Sequence, residues 1–315
     1  MKKYHLLPVL LTLLLTVSCD VFQPEVKPTI RIITVASDYK NLENGPNNLP
    51  LSPVDQKGIK DQLEFLSQYA GYEYEGIHVT YENGMLSATR SSSRTGESKF
   101  CPSEYLPYQG NSAKHMNPLI LDVLDTVATE AQDNDITVFY YSGHGAGYRD
   151  TLKMKWLKVG TLFFEGNSQD GLHPDELHAA MAKIRGKKLI MIDACYSGAF
   201  VYNDINYPDS TDKAFDELFT LPTIKNDNMW IMSASKDTEQ AYAPSSKKGG
   251  FSYFTQEVLN YLGYDSQAKE PALPTKKDIC YSDILSYAQE FITYSQHPQG
   301  EDTIRDLCLF SLPNL

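Results

Sequence analysis

Two stretches of this chain share one design, and it constrains the fold more than any other feature. ITVFYY (Ile136–Tyr141) and LIMIDA (Leu189–Ala194) are nearly continuous apolar runs, and each gives way at once to small residues, SGHGA in the first case and CYSGAF in the second. A strand with one wet face alternates apolar with polar residues. A run that is apolar on successive positions must be covered on both faces, as in a parallel sheet between two layers of helices. Ile30–Ala36 (IRIITVA), Ile77–Tyr81, Thr161–Glu165 and Met229–Ala234 read as further strands. Helical spacing marks Asp55–Tyr69, a segment from Asn111 or Ser112 to about Ala131, Pro174–Ile184 with its proline in the first turn, and part of Phe251–Leu262. Strands alternating with helices predict an α/β sandwich of three layers, a mainly parallel central sheet with helices on both faces. Ser87–Lys99 (SATRSSSRTGESK), rich in serine and without apolar period, is expected to be a mobile loop, and Tyr202–Asn228 a polar, aperiodic segment.

In open α/β sheets ligands bind at the C-terminal edge of the strands. Each apolar run delivers a reactive residue to that edge, His144 from one and Cys195 from the other. A thiol near its unperturbed pKa of about 8.5 is only a few per cent thiolate at neutral pH, so a nucleophilic cysteine needs an adjacent base. Two such loops at one edge set His144 and Cys195 on opposite sides of a bound peptide bond. Gly143, Gly145 and Gly198 let the backbone turn tightly and approach a ligand, so that main-chain N–H groups can donate to an oxyanion. His173 and His178 are five apart, a poor spacing for one helix face, and no metal site is expected there. Phe163 and Phe164 read as packing residues, and neither a Walker-type loop nor a dinucleotide-binding fingerprint occurs.

The first twenty residues, MKKYHLLPVLLTLLLTVSCD, form a targeting segment, with Lys2 and Lys3 preceding an apolar stretch from Leu6 to Val17 that is short for a membrane span. Its end, TVSC, resembles the lipobox of bacterial lipoproteins, in which small residues precede a cysteine that is lipidated and becomes the new N-terminus. Residues 1–18 are therefore expected to be a signal peptide, Cys19 the lipidation site, and 19–29, with Pro24 and Pro28, a tether. The domain proper is expected over 30–315, exported and held on a bacterial membrane by its lipid. Loss of residues 1–18 leaves 26 basic against 40 acidic residues, a net −14. That balance argues against nucleic acid as a partner and suits basic polypeptides. With Cys195 reserved for chemistry, Cys101, Cys280 and Cys308 are an odd number, so no complete disulfide framework follows; a Cys280–Cys308 bridge in an oxidising compartment stays open.

FYYSGHGA followed by MIDACYSGAF resembles the caspase-type cysteine peptidases, above all the metacaspase and orthocaspase branch, in which one strand ends in SGHG and a later one in D-x-C-x-S-G. His144 and Cys195 are 51 residues apart, close to the caspase spacing of roughly 50. Caspases proper carry Gln where this chain has Asp193, and Arg or a similar residue where it has Tyr196, which argues against cleavage after aspartate. The likeness runs from about Ile30 to Leu262, taking in WIMSASKDTEQAYA and GGFSYFTQEVL, while 263–315 is not clearly covered. The resemblance implies a caspase-like fold and a cysteine endopeptidase with Cys195 as nucleophile and His144 as general base and acid. It implies an oxyanion hole from the Gly145 and Cys195 amides, and Asp193 lining an S1 pocket for Arg or Lys with Asp237 near it. The substrate that the resemblance implies is a polypeptide with a basic P1 residue. No cofactor is implied; some metacaspases need calcium, whose acidic cluster has no match here, so calcium is left open and not predicted. Self-cleavage between the nucleophile and the next strand would fall after Lys213 or Lys225, with Arg94 and Lys99 as secondary sites. The alternatives are a legumain- or clostripain-like peptidase and a catalytically silent binding module on the same scaffold.

Overall fold

In the computed structural model the described residues are 27–42, 47–100, 116–147, 159–164, 171–201, 228–244, 250–292, 296–301, 306–313 and 315. Cys19, Cys101, Lys213 and Lys225, and with them the leader, the lipidation site and the expected self-cleavage sites, lie outside them.

Five parallel strands form the centre of the fold: β1 (Thr29–Ser37), β2 (Glu73–Glu82), β5 (Ile136–Ser142), β6 (Lys187–Asp193) and β7 (Met229–Ser233). Antiparallel strands finish both edges, β3 (Met85–Ser92) and β4 (Ser98–Lys99) on one side and β9 (Gln299–Gly300) on the other, giving the order β4-β3-β2-β1-β5-β6-β7-β9. Every residue of β5 is buried, as its continuous apolar run requires. Alternate residues of the strands feed two separate cores. On one face Ile32, Val138, Tyr140, Met191 and Trp230 pack with α1 (Ser52–Tyr69) and α4 (Tyr253–Leu262). On the other Ile33, Phe139, Ile190, Ile192 and Ile231 pack with α2 (Met116–Glu130) and α3 (Pro174–Ala182). The three-layer α/β sandwich expected from the sequence is the observed architecture.

Two local expectations are corrected. Most of Ser87–Lys99 is strand. Asn83 and Gly84, with φ of 53° and 84°, form the two-residue turn that suits a tight hairpin, and β3 pairs with β2 in register from Glu82↔Met85 to Glu75↔Ser92. On its outer side β3 is covered only by the two-residue β4, so much of it meets water and its serines and threonines need not alternate with apolar residues. Of Thr161–Glu165 the described part, residues 161–164, does not join the sheet: Leu162 bridges Gly145 on one side and Leu172 on the other.

The region beyond Leu262 belongs to the same core. β8 (Asp278–Cys280) leads straight into α5 (Tyr281–Phe291), and β10 (Cys308–Ser311) pairs antiparallel with β8. The bridge left open from sequence is formed, joining Cys280 to Cys308. Ile279, Tyr281, Ile284, Leu307, Leu309 and Phe310 complete the face that carries α1 and α4. Among the described residues no helix is long and apolar enough to cross a membrane.

Candidate active site

β5 and β6 pair so that Ser142 faces Asp193, and the ladder continues one step further through a bond from Gly143 N to Asp193 O (3.1 Å). His144 and Cys195 each lie two residues beyond that pair, on adjacent loops at one sheet edge. The loops touch at Gly145, where a Cβ would stand 2.0 Å from the Cys195 carbonyl oxygen, so only glycine allows this approach. The bridge between Gly145 and Leu162 is bonded through the neighbours, Ala146 N to Thr161 O (2.9 Å) and Phe163 N to His144 O (3.4 Å), and leaves the Gly145 amide out of the pairing.

The His144 ring is held on three sides. Its Nε2 lies 2.7 Å from Asn47 O, and a carbonyl only accepts, so Nε2 carries the proton and Nδ1 of the neutral ring keeps the basic lone pair. Tyr39 packs at one side, with ring centroids 4.5 Å apart, and Phe163 stacks at 5.6 Å and 19°. The backbone is fixed as well. His144 N donates to the Tyr39 hydroxyl (2.8 Å), which donates to Phe163 O (3.0 Å), while the Tyr141 hydroxyl donates to His144 O (3.0 Å). Both phenols are pushed far above their ordinary pKa, first by burial. Tyr39 holds φ of 57° and Tyr196, directly after the nucleophile candidate, φ of 59°. Left-handed backbone is costly for a bulky residue and persists where the surroundings over-determine it.

Cys195 is half-buried, lies in no disulfide, and its Sγ–H donates to Ala241 O at 3.7 Å. The next residue is tied to the same segment by a bond from Tyr196 N to Glu239 O (2.7 Å). That segment, following β7, forms the wall beside the thiol.

Beneath the wall Asp193 meets a second carboxylate that sequence reading did not single out, Asp55 in the first turn of α1. Ser252 lies between them. Its amide donates to Asp55 Oδ1 (2.9 Å) and its hydroxyl to Asp193 Oδ2; Asp55 Oδ2 also accepts from Ser142 Oγ (3.0 Å), and Asp193 Oδ2 from Thr255 Oγ1 (2.6 Å). Asp55 is 1% and Asp193 4% exposed, and among the described residues no lysine or arginine pairs with either. Burial drives both carboxyl pKa values up, and the charge of Asp193 raises Asp55 further, well above the usual carboxylate range. Asp237, in contrast, is exposed in the turn after β7, its backbone packed on Gly198, and no hydrogen bond links it to this pair. The acidic residue engaged in that turn is Glu239, which accepts from His297 N (3.0 Å) and pairs with His297 Nδ1 (2.9 Å). His173 caps α3, with Nδ1 2.9 Å from Thr161 Oγ1, and serves the helix start. A cluster with metal-ligand spacing, Cys280, Asp306 and Cys308, has both sulfurs consumed in the disulfide.

The family model described as "Caspase domain" matches residues 112–306, more than half of the 315. Among solved structures, protein GSU0716 of Geobacter sulfurreducens is similar, at 16% identity and a TM-score of 0.47, with 87% of this chain and 92% of that chain covered. No curated protein sequence matches.

Proposed function

The chain belongs to the caspase-domain family, and on that premise we propose that it is an active cysteine endopeptidase, closest to the metacaspase branch, which cleaves polypeptides after Arg or Lys. His144 Nδ1 takes the Cys195 thiol proton as Sγ attacks the scissile carbonyl. The amides of Gly145 and Cys195 receive the oxyanion. The imidazolium, held by Asn47 O on its far side, then hands its proton to the leaving amine, and the acyl-enzyme is hydrolysed by a water that His144 deprotonates.

The observation that carries the specificity is the buried Asp55–Asp193 pair. Two carboxylates sharing one serine, with hydroxyls and an amide for company, form a site short of positive charge. The guanidinium or ammonium of a basic P1 residue supplies it, and Arg in particular presents donors to both. Asp237 stands outside this pair and has at most an outer role. A profile of cleavage over peptides that vary at P1 tests the reading: cutting confined to Arg and Lys, and abolished by Cys195→Ala, supports it, whereas cutting after Asp, Asn or apolar residues overturns it.

The same reading makes the protein an exported lipoprotein anchored through Cys19, cut by its own activity after Lys213 or Lys225 into fragments that stay associated. Mass spectrometry of the mature protein tests both points. A lipidated Cys19 and basic-site cuts absent from Cys195→Ala are expected; an unmodified N-terminus elsewhere, or the same cuts in that variant, would contradict them. Neither a cofactor nor calcium enters the scheme, and a silent module on this scaffold is disfavoured by the presence of both His144 and Cys195.

A further inference from the structure

The region beyond Leu262 does more than close the core, because one of its residues reaches the nucleophile through a single peptide plane. Gln296 is wholly buried, and its side-chain amide makes two bonds. Oε1 accepts from Tyr242 N at 2.6 Å, and Nε2 donates to Ala234 O, just past the end of β7, at 3.1 Å. One partner is a donor and the other an acceptor, so the orientation of the amide is fixed. Tyr242 N belongs to the same peptide unit as Ala241 O, the carbonyl that receives the Cys195 thiol at 3.7 Å. A peptide unit is planar and trans, so its N–H and C=O point in opposite directions. Anchoring the N–H on Gln296 therefore aims the carbonyl at Sγ. His297 grips the same segment two residues earlier: Glu239 accepts from its amide and ring while Glu239 O accepts from Tyr196 N. Although partial burial pushes the Glu239 carboxyl up, bonds from the Lys236 amide and from His297 hold it below its ordinary range.

We infer that Gln296 is a positioning residue for the nucleophile: by fixing the Ala241–Tyr242 peptide it sets the direction of the Cys195 S–H and the dipole that the sulfur faces. This rests on Cys195 being the nucleophile, as proposed above. The negative end of that dipole opposes the thiolate, so the clamp keeps the resting thiol protonated and aimed until the base acts.

Gln296→Met keeps the volume and removes both bonds; Gln296→Glu keeps both while its carboxyl is protonated, since C=O accepts and O–H donates. Two readouts apply: steady-state kinetics on an Arg-ending peptide substrate, and the pH dependence of Cys195 alkylation by iodoacetamide. For Gln296→Met the expected result is a kcat about 10-fold lower with KM little changed, and an alkylation midpoint moved to lower pH as the carbonyl is released. Gln296→Glu is expected to match wild type at acid pH and to approach the Met variant as pH rises. A Gln296→Met protein that is merely less heat-stable, with wild-type kcat and alkylation midpoint, would overturn the inference, as would a Gln296→Glu protein whose alkylation midpoint and low-pH behaviour equal those of the Met variant. If wild type hydrolyses no peptide, the peptidase reading fails separately, and the alkylation midpoints still decide the role of Gln296.

Discussion

Asp55→Asn separates what the acidic pair costs the fold from what it gives the site. Both carboxyls have pKa values raised above those of the unfolded chain. A raised carboxyl favours the folded state only while both states are protonated. Stability is therefore fullest below the unfolded value near 4, falls as pH climbs through the raised folded values, and stays depressed at neutral pH. With one serine between them, two unit charges at roughly 5 Å in an effective dielectric of about 20 repel by about 3 kcal/mol. Asparagine at position 55 removes that repulsion. It keeps an oxygen for Ser252 N or Ser142 Oγ and gives up one bond worth about 1 kcal/mol. The variant should be more stable than wild type by about 1–2 kcal/mol at pH 7.5, with the gain vanishing toward pH 4. Catalysis should move the other way. Truncating one partner of a buried charge pair costs about 2–5 kcal/mol, so kcat/KM for an Arg substrate should fall at least about 30-fold, while a substrate with citrulline, its uncharged isostere, changes little. Thermal melts from pH 4 to 8 and the Arg-to-citrulline ratio of kcat/KM measure both arms. A variant that loses stability at neutral pH, or that keeps the wild-type ratio, would refute the assignment.

Two other substitutions probe the supports of the site. Cys280 and Cys308 are 28 residues apart, and opening the bridge with paired serines should cost about 3.5 kcal/mol through unfolded-chain entropy, read as a Tm lower by roughly 6 °C; an unchanged Tm would show that the β8–β10 pairing does not need the bond. Tyr39→Phe leaves His144 N and Phe163 O without their hydroxyl partner, so stability should drop by about 1–3 kcal/mol and kcat by more than KM rises. Wild-type kcat in that variant would show that the Tyr39 bond does not set the position of His144.

What was legible in the sequence, and what was not, follows from the range of the interactions. His144 and Cys195 stand out because each follows closely on a nearly continuous apolar run, and burial on both faces leaves a parallel strand few alternatives. The fold class followed from the same runs. Asp55 was hidden: it is one acidic residue at a helix start, where acids are common for the helix dipole alone, and only the packing of α1 against β5 brings it to Ser142, 87 positions away. Asn47 acts through its backbone carbonyl, which leaves no mark on residue type, while Tyr39 and Gln296 use their side chains on backbone groups far away in sequence, which no local pattern records. The misread serine-rich stretch has a different cause. Its main strand, β3, is bound by main-chain bonds to β2, and the Asn83-Gly84 turn, the local signal for a hairpin, lies just outside the stretch that looked featureless.

The central claim is that Cys195, served by His144, attacks a carbonyl whose neighbouring basic side chain lies on the Asp55–Asp193 pair. Intact-mass and peptide-map analysis of folded protein treated with a peptidyl chloromethyl ketone ending in arginine tests it most directly, with the citrulline-ended reagent as control. The account predicts one equivalent of adduct on Cys195 from the arginine reagent, little from the citrulline one, and slow labelling in His144→Ala. Folded protein that takes up no label, labels at another residue, or reacts equally with both reagents would contradict it.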